Sequence, residues 1–247
     1  PVTYPPLAEL AGPMHKLAGI RVDPVVGAVH GRHGATSPRL VAVEGGAETR
    51  LPLPEGAEVH DVSWTADGRR FALTVRHADH MGLWVGSVAG DLKRIDVKVN
   101  PLLGTAAAWL PDQKRLLVRR VPERGAPPAP PAVPAGPGVQ EGKGASARST
   151  YESRNLLETA HDDALFSHFA ASELVVVDPQ TAERRTVGPP AVYATAELSP
   201  DGRYLLVERL LPPWSHAVPW WRFARSLEVR DGEGALVIDM KQSKSAR

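Results

Sequence analysis

The sequence predicts an all-β fold assembled from repeated four-stranded antiparallel units, and two observations support this prediction. Short runs with alternating apolar residues are joined by tight turns that contain Asp, Gly or Pro. The same order of runs and turns then returns along the chain, with equivalent first turns at Asp67, Asp112 and Asp201. These residue types supply the backbone conformations that tight hairpins require.

Each first hairpin is followed by a second one, which gives four strands per unit. The first hairpins span residues 60–75, 105–120 and 193–208, and the second hairpins turn at residues 89–91, 178–180 and 231–234. An isolated second hairpin, residues 38–43 with a turn at 44–46, precedes the first unit.

The spacing of the units predicts a β-propeller. The turns at Asp67 and Asp112 are 45 residues apart, within the period of about 40–45 residues that is typical of four-stranded propeller blades. Half a blade and three full blades make about three and a half, whereas closed propellers have about 4–8. We therefore expect residues 1–240 to form an incomplete propeller domain.

The next interval, from Asp112 to Asp201, is 89 residues, which places an insertion at residues 122–171 inside one blade. Its first part is rich in Pro and Gly and has no apolar period, so we expect it to be extended and mobile. Its second part, residues 151–171, has apolar residues near helical spacing and predicts one or two short helices packed on a blade edge. The polar residues 241–247 predict a disordered tail.

Composition excludes several functional classes. The 247 residues include 29 Lys and Arg, 28 Asp and Glu and no Cys. A net charge of +1 gives no field for nucleic acid or anionic lipid, and no apolar run is long enough to cross a bilayer. Without Cys there is no disulfide, thiolate zinc site or cysteine nucleophile. No leader is visible at Pro1, so the N-terminus does not indicate a compartment.

No catalytic, cofactor or metal site is predicted. A Gly-x-Ser-x-Gly nucleophile turn is missing, because residues 144–148 fit that pattern except at the last position. The close histidine pairs, His30 with His33 and His77 with His80, each offer two ligands where zinc needs at least three.

The connection at residues 212–223 is rich in Trp and Pro, and we interpret it as packing between blades, with a contact surface for another domain as the alternative. Asp162 and Asp163, which precede a helix-like run, are interpreted as helix-capping residues. The candidate substrate or domain contacts are Arg148, Arg154, Trp214, Trp220, Trp221 and Arg222.

Several strings of the sequence resemble the N-terminal propeller of glutamyl endopeptidase-like members of the prolyl oligopeptidase (S9) family of serine peptidases. The strings are LAGIRVDP at 17–24, VQEGK at 139–143, TYESRNLL at 150–157, HDDALF at 161–166, SPDGRYLLV at 199–207 and VPWWRF at 218–223.

The resemblance implies a two-domain hydrolase in which a propeller gates and positions peptide substrates for a C-terminal α/β-hydrolase domain with a Ser-Asp-His triad. It also favours a periplasmic or secreted location. No triad residue can be assigned in this chain, so we expect no activity from the chain alone, and its uncovered terminal blades should favour self-association. The alternatives are a stand-alone propeller-like module that binds proteins as a scaffold, and a self-sufficient hydrolase with an unrecognised site.

Overall fold

A computed structural model describes residues 12–131 and 155–243. Sixteen strands and one α-helix, α1 (Ala160–Ala170), lie in these residues. The strands are β1 (His15–Leu17), β2 (Ile20–Val22), β3 (Arg39–Val41), β4 (Glu48–Arg50), β5 (Glu58–Trp64), β6 (Arg70–Arg76), β7 (Met81–Ser87), β8 (Leu92–Lys98), β9 (Ala107–Trp109), β10 (Leu116–Arg120), β11 (Ser172–Val177), β12 (Arg184–Ala191), β13 (Tyr193–Leu198), β14 (Tyr204–Leu210), β15 (Arg225–Asp231) and β16 (Leu236–Ser243).

The strands form three four-stranded antiparallel sheets in which each strand pairs with its neighbour in sequence. We call β5–β8 the first blade, β9–β12 the second blade and β13–β16 the third blade, and the paired strands β3 and β4 the half-blade. A separate short hairpin, β1 and β2, precedes them. The prediction of about three and a half four-stranded propeller blades is confirmed.

Because consecutive strands are antiparallel, the described parts of the connections lie on two opposite faces of the molecule. The turns between strands one and two, and between strands three and four, lie on one face, which we call the hairpin face. The connections between strands two and three, and from blade to blade, lie on the opposite, connector face. On the hairpin face the turns of neighbouring blades touch, because the amide of Asp67 donates to Oε1 of Gln113 at 2.8 Å.

The apolar core lies between the blades and follows the two-residue period of the strands. In β10, Leu116 and Val118 pack toward the first blade, against residues such as Leu83. Leu117 points the other way and packs with Leu205 and other residues of the third blade. Both sides of the second blade are therefore buried, which explains why β10 is apolar at consecutive positions.

A further core covers the connector face, and here the predicted insertion needs correction. The predicted short helix is present in the described residues as α1, which begins after Thr159, but it does not pack on a blade edge. Phe166 and Phe169 of α1 pack with β1, β2 and the blade-to-blade connections around Leu102. The helix packs there because those connections present apolar side chains to it.

Other boundaries also differ from the prediction. Residues 241–243, assigned by the sequence to a tail, lie in β16 and pair with β15, whereas residues 244–247 lie outside the described residues. Most of the Pro- and Gly-rich segment, from residue 132 onward, is likewise outside them. Within the described ranges, no helix has the length and apolar character needed to cross a membrane.

Candidate functional site

The aromatic connection between β14 and β15 packs onto α1. Trp214 stacks on Phe223 with ring centroids 5.7 Å apart and meets Phe166 edge to face at 5.2 Å. Its indole Nε1 donates to Oγ of Ser167 at 2.7 Å. Trp214 therefore belongs to the connector-face core.

The next two tryptophans of this connection differ in exposure. The amide of Trp220 donates to the carbonyl oxygen of Ala18 at 2.9 Å, and its side chain is partly buried in the connector-face core. Trp221 is 50% exposed, and Arg222 is also exposed. A Cβ at Gly19 would lie only 2.6 Å from Cβ of Pro219 and 3.0 Å from the Trp221 ring, so a glycine is required for this close approach.

Asp162 and Asp163 lie in the first turn of α1, and the predicted capping role is confirmed for Asp162. The amide of Asp162 donates to the Thr159 hydroxyl at 3.2 Å, and Oδ2 of Asp162 accepts from the amide of Thr159 at 2.8 Å. This reciprocal pair is a capping box. Asp163 lies 2.8 Å from Nε2 of His216 and so ties the helix start to the aromatic connection.

The remaining predicted contact residues, Arg148 and Arg154, lie outside the described residues. Among the residues that are described, no group of three or more His, Asp or Glu side chains could hold a metal ion. The rings of His77 and His80 stack on each other with centroids 4.7 Å apart. Two cavities lie along β5, β9 and β13, the first strands of the three blades, which we call the inner wall.

Sequence reasoning missed a cavity of about 340 Å³ between the first strands of the second and third blades. It is lined by Gly104, Thr105, Ala108, Leu117, Arg119, Ala194, Thr195, Ala196 and Glu197. Its walls combine small side chains and Leu117 with two threonines, one cation and one carboxylate. The cavity is therefore suited to a polar ligand.

Arg119 is the buried cation of this cavity. It is only 8% exposed, and its guanidinium donates to the carbonyl oxygens of Tyr193 and Ala194, both at 3.1 Å. Burial lowers the pKa of Arg119 to about 10, although Glu197 acts in the opposite direction. The side chain remains a cation at neutral pH. The pair of arginines that ends the apolar strand β10, Arg119 and Arg120, was the available sequence signal for this site.

A second cavity, of about 250 Å³, adjoins the first and shares Gly104 and Thr105 with it. His60 of β5 lines it, with its side chain only 4% exposed. Nε2 of His60 is buried without a hydrogen-bond partner, with Oε2 of Glu58 at 3.5 Å. Burial lowers the pKa of His60, so the ring is neutral at pH 7. The inner wall thus carries two adjoining polar cavities.

The repeated blades and the cavity-bearing inner wall define a protein of the β-propeller class. No family model matches the chain. It is 29% identical to a probable chloroplastic glutamyl endopeptidase of Oryza sativa subsp. japonica, over 96% of this chain and 27% of the relative. It is 32% identical to a protein of the same name from Arabidopsis thaliana, over 94% of this chain and 26% of the relative.

These matches confirm the resemblance found in the sequence motifs: over nearly its whole length, the chain is similar to a part of two proteins named as probable glutamyl endopeptidases. It spans about a quarter of the length of these curated relatives.

Solved structures similar to the chain include a prolyl endopeptidase, with 16% identity over 93% of this chain and 29% of that chain and a TM-score of 0.49. Another is the β-propeller domain of the trilobed protease from Pyrococcus furiosus, with 13% identity over 74% of this chain and 42% of that chain and a TM-score of 0.43.

Proposed function

We propose that the chain is the propeller part of a serine peptidase of the prolyl oligopeptidase family. In this role it admits and positions peptide substrates for an α/β-hydrolase catalytic domain encoded with it. The match to the two probable glutamyl endopeptidases, which covers nearly all of this chain and about a quarter of each relative, carries this proposal. The polar cavities of the inner wall support it, because a substrate-positioning surface needs concave sites with a few polar groups.

The exposed Trp221 and Arg222 on the connector face are the proposed contacts with the catalytic domain, since aromatic residues and Arg are enriched at protein interfaces. Arg148 and Arg154 remain proposed contacts with substrate or with that domain. The chain itself is expected to hydrolyse no peptide and to resist labelling by serine-directed reagents. A longer gene product with a downstream Gly-x-Ser-x-Gly motif should be labelled.

Peptide entry can be tested on the 247-residue chain by replacing Ala108 with Trp. Ala108 is exposed and lines the larger cavity, so the indole should fill the cavity without displacing a core side chain. We expect at least a tenfold loss in affinity for short unstructured peptides, measured by fluorescence anisotropy. Val88→Trp is the matched control, because Val88 is 56% exposed and lies outside both cavities.

Unchanged peptide affinity in Ala108→Trp would contradict a positioning role for the inner wall.

The second candidate, a scaffold module, is favoured by the exposed ring of Trp221. It predicts binding of a folded partner that is lost in Trp221→Ala and unaffected by Ala108→Trp. A gene that ends without a catalytic motif would also favour the scaffold.

A further inference from the structure

We propose that Arg119 forms a carboxylate-binding subsite on the inner wall of the propeller, which takes an acidic side chain or the C-terminal carboxylate of an extended peptide. This inference rests on the proposed peptide-positioning function and names the chemistry that the positioning surface recognises. The argument depends on the charge balance around Arg119 and on the shape of the adjoining cavities.

Arg119 is buried and forms no ion pair with any of the described residues, although the charge of Glu197 acts on it across the cavity. Five other arginines, whose side chains are 13 to 30% exposed, each form an ion pair with a carboxylate: Arg76, Arg120, Arg209, Arg225 and Arg230. Arg119 is only 8% exposed, yet no carboxylate of the described residues lies within ion-pair distance of it. Buried charges in proteins are normally paired, because desolvation is otherwise uncompensated. The missing partner is what an anionic ligand would supply.

The surroundings of Arg119 leave its guanidinium open to the cavity. Its two carbonyl partners, on Tyr193 and Ala194, fix the side chain in place. Opposite them, a Cβ at Gly104 would lie 3.5 Å from Nη1 and 3.8 Å from Cζ. The glycine therefore leaves space against the guanidinium that any other residue would fill. A fixed planar guanidinium with remaining donors is well suited to a carboxylate.

The adjoining cavity indicates that the ligand is a chain segment and not a small ion. The two cavities share Gly104 and Thr105 in their walls and are therefore neighbours, and we expect an extended ligand bound at Arg119 to reach the cavity lined by His60. Nε2 of His60 is a buried nitrogen without a partner, and it can bond to a peptide group in that position. Glu197 also faces the larger cavity, and its negative charge weakens the binding of a carboxylate there.

The test compares three labelled peptides on the 247-residue chain by fluorescence anisotropy. The first is the acidic peptide Ac-AEAEA-NH₂, the second is its neutral match Ac-AQAQA-NH₂, and the third is Ac-AQAQA with a free C-terminal carboxylate. We expect the acidic or the free-carboxylate peptide to bind at least tenfold more tightly than the neutral one. Which of the two is preferred identifies the source of the carboxylate.

Two variants should change this preference in opposite directions. Arg119→Gln should abolish the tenfold preference while leaving the affinity for the neutral peptide within about twofold. Glu197→Gln should increase the preference for the carboxylate-bearing peptide over the neutral one about threefold, because a negative charge is removed from the cavity. Glu197 is exposed, so its variant keeps the test decisive if Arg119→Gln fails to fold. Arg184→Gln, an outer-strand arginine paired with Asp96, is the matched control.

Equal binding of all three peptides would overturn the subsite and leave the proposed positioning function standing. Binding of none would overturn both. A preference that survives Arg119→Gln, or one that is unchanged in Glu197→Gln, would assign the recognition to another residue and reject the proposal.

Discussion

Glu228 joins two arginines on the side of the third blade that faces the second blade. Its carboxylate accepts from Nε of Arg209 at 2.8 Å and from Nη2 of Arg230 at 2.7 Å, and the Ser226 hydroxyl donates to it at 3.2 Å. The side chain is only 4% exposed. Burial acts to raise the pKa of Glu228, but the bonds from Arg230 and Arg209 outweigh it, and the pKa lies below its ordinary value.

Glu228→Gln should destabilise the chain by about 3 kcal/mol, since two partly buried arginines lose their counter-charge. Because the pKa is lowered in the folded state, the carboxylate stabilises the fold above its unfolded pKa of about 4.5 and loses this contribution as pH falls through the folded value. The parent chain should therefore lose stability on acidification more steeply than the variant. Urea denaturation between pH 3 and about pH 7 measures both effects.

Glu233→Gln is the control for this prediction. Glu233 pairs with Arg185 but is 77% exposed, so its loss should change stability by less than about 0.5 kcal/mol. A Glu228→Gln variant with the stability and pH dependence of the control would show that the buried network contributes nothing.

At the scale of elements, α1 closes the connector face. The helix carries Phe166 and Phe169 into a core that also includes β1, β2 and the aromatic connection. The carbonyl oxygens of Phe169 and Ala171 accept from Nδ2 of Asn100, at 2.9 and 2.8 Å. Asn100 lies in the connection from the first blade to the second, so the helix end is bonded to the junction of two blades.

Thr159→Ala should lower the stability by about 1 kcal/mol, because it removes the hydroxyl that caps the first turn of α1. Thr159→Ser keeps the hydroxyl and should remain within about 0.3 kcal/mol of the parent chain. The shift of the urea midpoint measures the difference. Equal midpoints for the two variants would show that the capping box does not limit the stability of the helix.

At the scale of the whole molecule, the third blade has one side exposed. Leu206, Val229 and Ile238 are cross-strand partners and share that side, which we call the uncovered face. Leu205 and Val207 point the other way and are buried against the second blade. Ile238 is 52% exposed. Contiguous exposed apolar residues on a sheet favour association.

Ile238→Lys should therefore reduce self-association of the chain. At about 50 μM we expect the parent chain to sediment partly as dimers or larger species, and the variant to shift toward the monomer because a charge on the uncovered face opposes apolar contact. Val88→Lys is the control, since Val88 is equally exposed on the first blade. A parent chain that is monomeric at this concentration would contradict the prediction.

The sequence by itself determined the blades, because their causes are local. Asp-Gly and Pro-Asp turns at fixed spacing specify hairpins, and the alternation of apolar residues specifies which side of each strand is buried. The capping role of Asp162 is local in the same way, since Thr159 is only three residues away. The position of Trp214 in a core was also accessible, because a Trp- and Pro-rich connection has few other ways to bury its rings.

Only the tertiary structure decided where the connections pack and where the cavities lie. Arg119 appears in the sequence as one of two arginines at the end of an apolar strand. Its surroundings are Tyr193, Ala194 and Gly104, which approach it from another blade and a connection. The packing site of α1 likewise depends on β1 and β2, more than 130 residues earlier in the chain. Hairpins are fixed by neighbouring residues, whereas an uncompensated charge and a cavity exist only once distant strands are placed side by side.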